Sequence, residues 1–179
     1  SRQRTVMPEV RLSERGQLHA ILNAADHPDP MHTAVVHPVD DSSIRGAVAS
    51  AKQQLIIPTL VGPRDKILAA ADTAEVDIQD FEIVDTPHSH AAAERAVQMA
   101  RAGQIEALMK GALHTDELLH EVVKREGGLR TERCLSHVMA FDVPTYPRPL
   151  FITDAAINIY PGLAQKRDII QNAIELAHA

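Results

Sequence analysis

Lys110 and Gly111 begin a short polar stretch that could bind an anion. They directly follow the apolar run 107–109, and His114 and Thr115 open the helical stretch that comes next. A cation, a glycine that lets the backbone come close to a ligand, and the free N–H groups of a helix start can together hold an anion. The alternative is that Thr115 only caps the helix and Lys110 only faces solvent, and spacing alone favours this alternative.

A second group of polar residues flanks two apolar runs, residues 138–143 and 150–153. These residues are Ser136, His137, Thr153, Asp154 and Asn158. Since neighbouring residues on a strand point to opposite faces, Ser136 and His137 are a poor Ser–His catalytic pair, and a polar contact from one of them to a ligand is the better interpretation. Thr153 and Asp154 could orient a substrate or a catalytic group, and Asp154 could equally well cap the following turn.

Other residues that could do chemistry give weaker signals. His88 and His90 could ligate a metal, but the sequence shows no third ligand nearby, so we interpret Ser89 as a helix cap and predict no metal site. His37 also lies between a strand and a helix, and we interpret it as a loop residue before the helix rather than as a metal ligand. Cys134 is the only cysteine, which rules out an internal disulfide and fits a small buried side chain better than a nucleophile.

The elements that must position these residues alternate along the chain. Apolar, β-rich runs are each followed by a stretch with helical spacing, and they cover residues 33–36, 55–61, 81–85 and 107–109. Asp40 and Asp41 are expected to cap the first of these helices. Four strand-then-helix units predict an α/β fold, with a mainly parallel sheet and helices on both faces. Such sheets bind ligands at the carboxyl ends of their strands.

The pattern changes near Leu129. Residues 130–179 contain two strands joined by a Pro-rich turn, then a helix with apolar residues at helical spacing. We therefore predict a linker or arm over residues 1–12, a first α/β domain over 13–129, and the start of a second, incomplete α/β domain over 130–179. Because the last helix has an apolar face with nothing after it to cover, we expect a partner domain or a second subunit.

The composition limits the classes of partner. The chain has 179 residues and a net charge of −6, with no dense stripe of Lys and Arg, which argues against binding to nucleic acid or to a membrane surface. Aromatic residues are only 3% and Trp is absent, so a platform for stacking bases is not expected. No apolar run approaches transmembrane length, and we expect a cytoplasmic protein.

Three segments resemble the phosphate acetyl/butyryltransferase family. They are LMKGALHTDELL at residues 108–119, LRTERCLSHVMAFDVPTYPRPLFITDAAINIYP at 129–161 and KRDIIQNAIELAHA at 166–179. The shorter segments TAVVHP, PTLVGP and DTPHSHAAAERAV extend the resemblance to nearly the whole chain after residue 12. The chain also resembles the transferase domain of proteins that fuse an enoyl-CoA hydratase-like domain to a phosphate acetyltransferase domain.

The resemblance implies an activity and a fold. The reaction would be the reversible transfer of an acetyl or short acyl group between coenzyme A and phosphate, with acyl-CoA, phosphate and acyl phosphate as the partners. Coenzyme A would be a substrate, and neither a cofactor nor a metal would be required. The fold would resemble isocitrate and isopropylmalate dehydrogenases, with the active site in a cleft between two α/β domains, and the protein would be a homodimer.

The resemblance also implies that part of the site is absent. Family members continue well past residue 179, and the absent segment carries the serine, arginine and aspartate associated with catalysis, so no catalytic residue is assigned here. This fragment alone is expected to be inactive, and a non-catalytic fragment that binds CoA or acyl phosphate is the alternative function. The residues that remain as candidates for one substrate-binding wall of the cleft are Lys110, Gly111, His114, Thr115, Ser136, His137, Thr153, Asp154 and Asn158.

Overall fold

A computed structural model of the chain describes residue 21, residues 29–143 and residues 145–179. The chain divides into two compact units, one within Pro28–Thr131 and one that includes Glu132–Ala179. The arm expected over residues 1–12 lies outside the described residues. The predicted domain organisation stays a prediction.

The first unit alternates strands and helices. In chain order these are β1 (Met31–Val36), α1 (Asp41–Lys52), β2 (Ile56–Gly62), α2 (Arg64–Ala74), β3 (Glu82–Asp85), α3 (Ser89–Arg101), β4 (Ala107–Lys110) and α4 (Thr115–Val122). The four predicted strand-then-helix units are therefore confirmed.

The four strands form one parallel sheet with the order β3-β2-β1-β4. Met31 of β1 pairs with Ile56 of β2, and on the other side of β1, Thr33 pairs with Ala107 of β4. The chain thus builds outward from β1 to β3, then crosses back over the sheet to place β4 on the far side of β1. The predicted mainly parallel α/β fold is confirmed, and the order of the strands reverses between β1 and β4.

Helices cover both faces of this sheet, and alternate residues of β1 contribute to the two cores. Val35 packs in a cluster with Ile44 of α1 and Ile67 of α2. Val36 packs in the opposite cluster with Ala93 of α3. All five of these side chains have an exposed fraction of 0%. The small alanines of α3 allow the helix to lie close against the strands.

The starts of α1 and α3 show which predicted caps were correct. Asp40 is the N-cap residue of α1 and accepts a hydrogen bond from the Ser43 N–H (2.9 Å), as the sequence predicted. Ser89 was predicted to cap α3, and this is wrong. The N-cap residue is His88, whose Nδ1 accepts from the Ala91 N–H at 3.1 Å.

The helix α4 also differs from its prediction at both ends. Thr115 was expected to cap it, but Thr115 is already its first helical residue, and the N-cap residue is His114, whose side chain makes no capping hydrogen bond. Gly127 and Gly128 predict a helix that continues up to that point in the sequence, but α4 ends at Val122. The N–H of Leu129 donates to the carbonyl oxygen of Val122 (2.7 Å), so the chain has already turned back at that point.

The second unit contains β5 (Val138–Phe141), β6 (Leu150–Thr153) and α5 (Leu163–His178). The two strands pair antiparallel, with Val138 opposite Thr153 and Phe141 opposite Leu150. Ile169 of α5 is buried within this unit. The two predicted strands and the final helix are therefore confirmed. No helix in the described part of the chain is long and apolar enough to cross a membrane.

Candidate functional site

The carboxyl ends of β1 and β4 lie side by side, because Val36 pairs with Lys110. This is the place where the order of the strands reverses, and open α/β sheets bind their ligands outside such a point. Lys110 and Gly111, predicted to contact a ligand, both lie at this edge. We refer to the carboxyl ends of the strands in the first unit, with the loops that follow them, as the sheet edge.

Gly111 is held tightly against β1. Its N–H donates to the carbonyl oxygen of Val36 (2.8 Å), and the N–H of Ala112 donates to the carbonyl oxygen of His37 (2.9 Å). A Cβ on Gly111 would lie 2.4 Å from the Val36 oxygen and 2.7 Å from the His37 oxygen. The sequence suggested that this glycine lets the backbone approach a ligand, and the structure shows that the backbone it approaches is β1.

Lys110 folds its side chain over the loop that follows β4. Its Nζ donates to the carbonyl oxygens of Leu113 (2.8 Å) and Gly111 (3.2 Å). An ammonium group has three N–H donors, so one remains available at the sheet edge. Because Lys110 is also exposed, its charge is open to an anion in solvent.

His114 and Thr115 are both exposed at the start of α4. The N–H groups of a first helical turn carry partial positive charge and can bind an anion. Asp116 and Glu117 lie in the same turn and add negative charge there. An anion at this helix start therefore needs a cation close by, and Lys110 provides one.

His37 is a candidate that the sequence did not favour. It is 9% exposed, and its Nδ1 has no hydrogen-bond partner among the described residues. Its φ angle is 57°, a left-handed conformation that costs a residue other than glycine on the order of 1 kcal/mol. Burial lowers the pKa of His37, and the nearby charge of Lys66 lowers it further. A neutral imidazole with a free polar atom thus lies at the end of β1.

Thr86 is a second buried polar residue at the sheet edge whose side chain has an unpaired polar atom. It follows β3, it is 8% exposed, and its Oγ1 has no partner within the described part of the chain. An unpaired polar atom that is buried costs free energy, and such atoms mark sites where a ligand or water completes the hydrogen bonding. Nothing in the sequence spacing distinguished Thr86 from other loop threonines.

In the second unit, Asp154 is surrounded by hydrogen-bond donors. Its Oδ1 accepts from the N–H groups of Ala156 (3.0 Å) and Ile157 (2.9 Å), and its Oδ2 accepts from Asn158 Nδ2 (2.7 Å). Burial alone raises the pKa of Asp154, but these bonds and one from the backbone of His137 lower it to about 2. Asp154 is therefore ionised at neutral pH, caps the turn after β6, and is a poor proton acceptor.

Other predicted residues of the second unit also form hydrogen bonds near the ends of its strands. Thr153 Oγ1 donates to the carbonyl oxygen of His137 (2.6 Å), and Asn158 Nδ2 also donates to the carbonyl oxygen of Leu135 (2.9 Å). Ser136 points elsewhere, since its Oγ accepts from Asn172 Nδ2 of α5 at 2.7 Å. The polar residues thus tie the strand ends to each other and to α5.

The predicted residues fall into two groups that lie in different units. Those of the first unit are Lys110, Gly111, His114 and Thr115, and those of the second are Ser136, His137, Thr153, Asp154 and Asn158. Their role in substrate binding stays a prediction. Among the described residues, a separate group that could hold a metal contains His90, His120 and Glu121. His120 and Glu121 lie near His90 in space but not in the sequence, and the prediction of no metal site stays a prediction.

Comparisons of the sequence with known proteins identify relatives of this chain. A family model described as "Phosphate acetyl/butaryl transferase" matches residues 89–179. The phosphate acetyltransferase of Rickettsia typhi is 51% identical over 158 residues, which are 88% of this chain and 45% of that protein. The phosphate butyryltransferase of Clostridium acetobutylicum is 39% identical over 150 residues, which are 83% of this chain and 50% of that protein.

A solved structure is also similar to this chain. The branched-chain phosphotransacylase from Enterococcus faecalis V583 superposes with a TM-score of 0.64 at 27% sequence identity, and the match covers 83% of this chain and 51% of that one. The chain spans about half the length of the curated relatives that it matches. Since the family model matches half of the chain, from the start of α3 to the last residue, the chain belongs to the phosphate acetyl/butyryl transferase family.

Proposed function

We propose that this chain forms part of an acyltransferase that moves an acetyl or short acyl group between coenzyme A and phosphate. The reaction is acyl-CoA plus phosphate to acyl phosphate plus CoA. The observation that carries this proposal is the family match over residues 89–179, which contains β4, α4 and the segment Glu132–Ala179 of the second unit. We expect the activity from the longer parent protein.

The sheet edge suits the charge of these substrates. Phosphate, acyl phosphate and CoA are all anions, and Lys110 offers an exposed ammonium beside the helix start at Thr115. His37 and Thr86 add unpaired polar atoms at the ends of β1 and β3. We propose that the phosphate group of the substrate binds at this edge, where charge and N–H donors are available.

The chemical step needs a base and hydrogen-bond donors that stabilise the developing negative charge. In the reverse direction, from acyl phosphate and CoA to acyl-CoA, a base must take the proton of the CoA thiol. The thiolate sulfur then attacks the carbonyl carbon of the acyl phosphate, and phosphate leaves with the electron pair of the broken C–O bond. Asp154, with a pKa of about 2, is too weak a base for this step. We therefore propose that the catalytic groups lie in the rest of the parent protein.

The test compares this chain with its parent. Both proteins are incubated with acetyl-CoA and phosphate, and free thiol is followed over time. We expect thiol release by the parent and none by the 179-residue chain. Release by the chain alone would show that the acyl-transfer site is complete within it, and no release by either protein would overturn the proposal.

A second candidate function is binding without turnover, favoured by the free N–H of Lys110 and the unpaired atoms of His37 and Thr86. In that case CoA or acetyl phosphate raises the melting temperature of this chain while no thiol is released. An unchanged melting temperature at saturating CoA would count against it.

We also propose that the protein is a homodimer and cytoplasmic. Several apolar side chains of the second unit are exposed, including Leu163 at 87% and Ile170 at 56%, which supports their burial against a partner surface. Light scattering of the parent protein measures the dimer directly, and a monomer at micromolar concentration would argue against it.

A further inference from the structure

Two histidines meet a buried carboxylate between α3 and α4. The side chain of Glu121 is only 2% exposed, whereas those of His90 and His120 are 54% and 68% exposed. His90 Nε2 lies 3.0 Å from Glu121 Oε1, and His120 Nδ1 lies 3.4 Å from the same oxygen. These three atoms all lie within 4.8 Å of one another. Two nitrogen atoms and one oxygen atom therefore converge on a single point at the protein surface.

The spacing of these atoms fits a metal ion. Zinc binds histidine nitrogen and carboxylate oxygen at about 2.0–2.2 Å, so two ligands of a tetrahedral site lie about 3.4 Å apart. The two distances to Glu121 Oε1 are 3.0 and 3.4 Å. Because His90 and His120 are exposed, small rotations of their rings can bring the third pair to the same spacing.

Lys124 fixes the orientation of the carboxylate. Its Nζ lies 2.6 Å from Glu121 Oε2, the oxygen that does not face the histidines. Oε1 is thus left facing the ring nitrogens of His90 and His120. A divalent cation would bring charge to Oε1 and take a lone pair from each imidazole.

We propose that His90, His120 and Glu121 form a binding site for a divalent transition-metal ion, with zinc as the preferred occupant. Two histidines and one glutamate are a ligand set that zinc uses in proteins, and the exposed side of the site leaves a fourth position for water. Nitrogen ligands disfavour Mg²⁺ and Ca²⁺, which require oxygen. The bound ion would link the first turn of α3 to the last turn of α4. The site lies wholly within the first unit and does not depend on the acyltransferase proposal.

Isothermal titration of the full chain with ZnCl₂, after removal of any purification tag, tests this proposal. We expect one tight zinc site per chain and no heat from MgCl₂. His90→Ala and His120→Ala should each weaken zinc binding by at least about tenfold, because each removes one ligand. Both histidines are exposed, so these variants should fold, and their melting temperatures without metal check this.

His32→Ala is the matched control, since His32 is an exposed histidine of the same unit on β1. It should bind zinc as the unchanged protein does. Zinc should also raise the melting temperature of the unchanged protein and of the control, and should raise it less in the two ligand variants. If the unchanged protein shows no site at one zinc per chain, or if the ligand variants bind zinc as tightly as the control, the proposal is wrong.

Discussion

The carbonyl oxygen of Val36 lies where a side chain on Gly111 would begin. A Cβ at position 111 would be 2.4 Å from that oxygen, and the N–H of Gly111 donates to the same oxygen at 2.8 Å. The Val36 oxygen belongs to the backbone of β1, which is paired with β4 in the sheet, so it cannot move aside in the way that a flexible side chain can. The close contact between the ends of β1 and β4 therefore requires glycine.

Gly111→Ala should destabilise the protein. Because the added methyl group meets fixed backbone, we expect a loss of about 1–3 kcal/mol in the free energy of unfolding, in the range typical of overpacked sites. Urea denaturation followed by circular dichroism measures the change.

Gly46→Ala is the control for this substitution. Gly46 lies inside α1, and no atom of the described residues lies within 4 Å of its added Cβ, so alanine should stabilise the helix by about 0.5–1 kcal/mol. A Gly111→Ala protein as stable as the unchanged one would mean that the ends of β1 and β4 separate freely.

Lys124→Met should also destabilise the protein. Burial alone raises the pKa of Glu121, but the hydrogen bond and charge of Lys124, with the two neighbouring histidines, hold it below the ordinary value. Without Lys124, a carboxylate that is 2% exposed loses its nearest cation. We expect a loss of about 1–3 kcal/mol, because the remaining charge is buried without full compensation.

Arg45→Met provides the comparison. Arg45 pairs with Asp41 on the surface of α1, with side chains 54% and 55% exposed. Exposed pairs of this kind contribute only about 0.3–0.5 kcal/mol, so this substitution should change stability much less than Lys124→Met. If the two substitutions lower the free energy of unfolding equally in the same denaturation experiment, burial of Glu121 does not strengthen its ion pair with Lys124.

The sequence predicted the strands and the helices between them better than it predicted where each helix begins. Short apolar runs separated by helical spacing determine the alternation, and the run 33–36 lies within β1 (Met31–Val36). Helix starts depend on which side chain reaches the first free N–H groups. At α3, Ser89 was the better candidate by residue type, yet its hydroxyl donates to Glu117 (2.5 Å) and His88 takes the N-cap position.

The candidate site shows the same limit. Residues that follow strands could be recognised from the sequence, and Lys110 does lie at the sheet edge. The contacts that distinguish one such residue from another are tertiary. His90 and Glu121 are 31 positions apart and meet only because α3 and α4 pack together. The left-handed backbone of His37 and its unpaired Nδ1 likewise leave no mark in the spacing of residues.

Asp154 should make stability depend on pH in acid. Its pKa is lowered from 3.8 to about 2 in the folded protein, so its contribution to stability is complete above about pH 4 and is lost as the pH falls towards 2. We expect Asp154→Asn to cost about 1–2 kcal/mol at pH 7, after allowance for solvent screening, and less at pH 2.5.

Asp29→Asn is the control for Asp154, because Asp29 is exposed in the loop before β1. It should change stability by less than about 0.5 kcal/mol at either pH. Denaturation curves at pH 7 and pH 2.5 measure both variants. A cost of Asp154→Asn that is the same at the two pH values would show that its charge does not stabilise the fold.

Lys110→Met should weaken the binding of phosphate-bearing ligands. Two N–H groups of Lys110 already bond to carbonyl oxygens of the loop, at 2.8 and 3.2 Å, and the third is the one proposed to meet the anion. A hydrogen bond to a charged group contributes about 1.5–3 kcal/mol, so we expect the KM for phosphate in the parent protein to rise on the order of 10- to 100-fold. The loss should shrink at high salt, because ions screen the charge.

Lys52→Met separates this effect from a general loss of positive charge. Lys52 ends α1, and since α1 returns antiparallel to the strands, its last turn lies away from the sheet edge. The KM for phosphate should therefore stay close to that of the unchanged protein. Lys110→Arg keeps the charge and should recover part of the affinity for phosphate. If Lys110 serves only to hydrogen-bond the loop, Lys110→Met will lower the melting temperature and leave the KM for phosphate unchanged. A lower melting temperature with an unchanged KM would show that Lys110 stabilises the loop after β4 and does not bind phosphate.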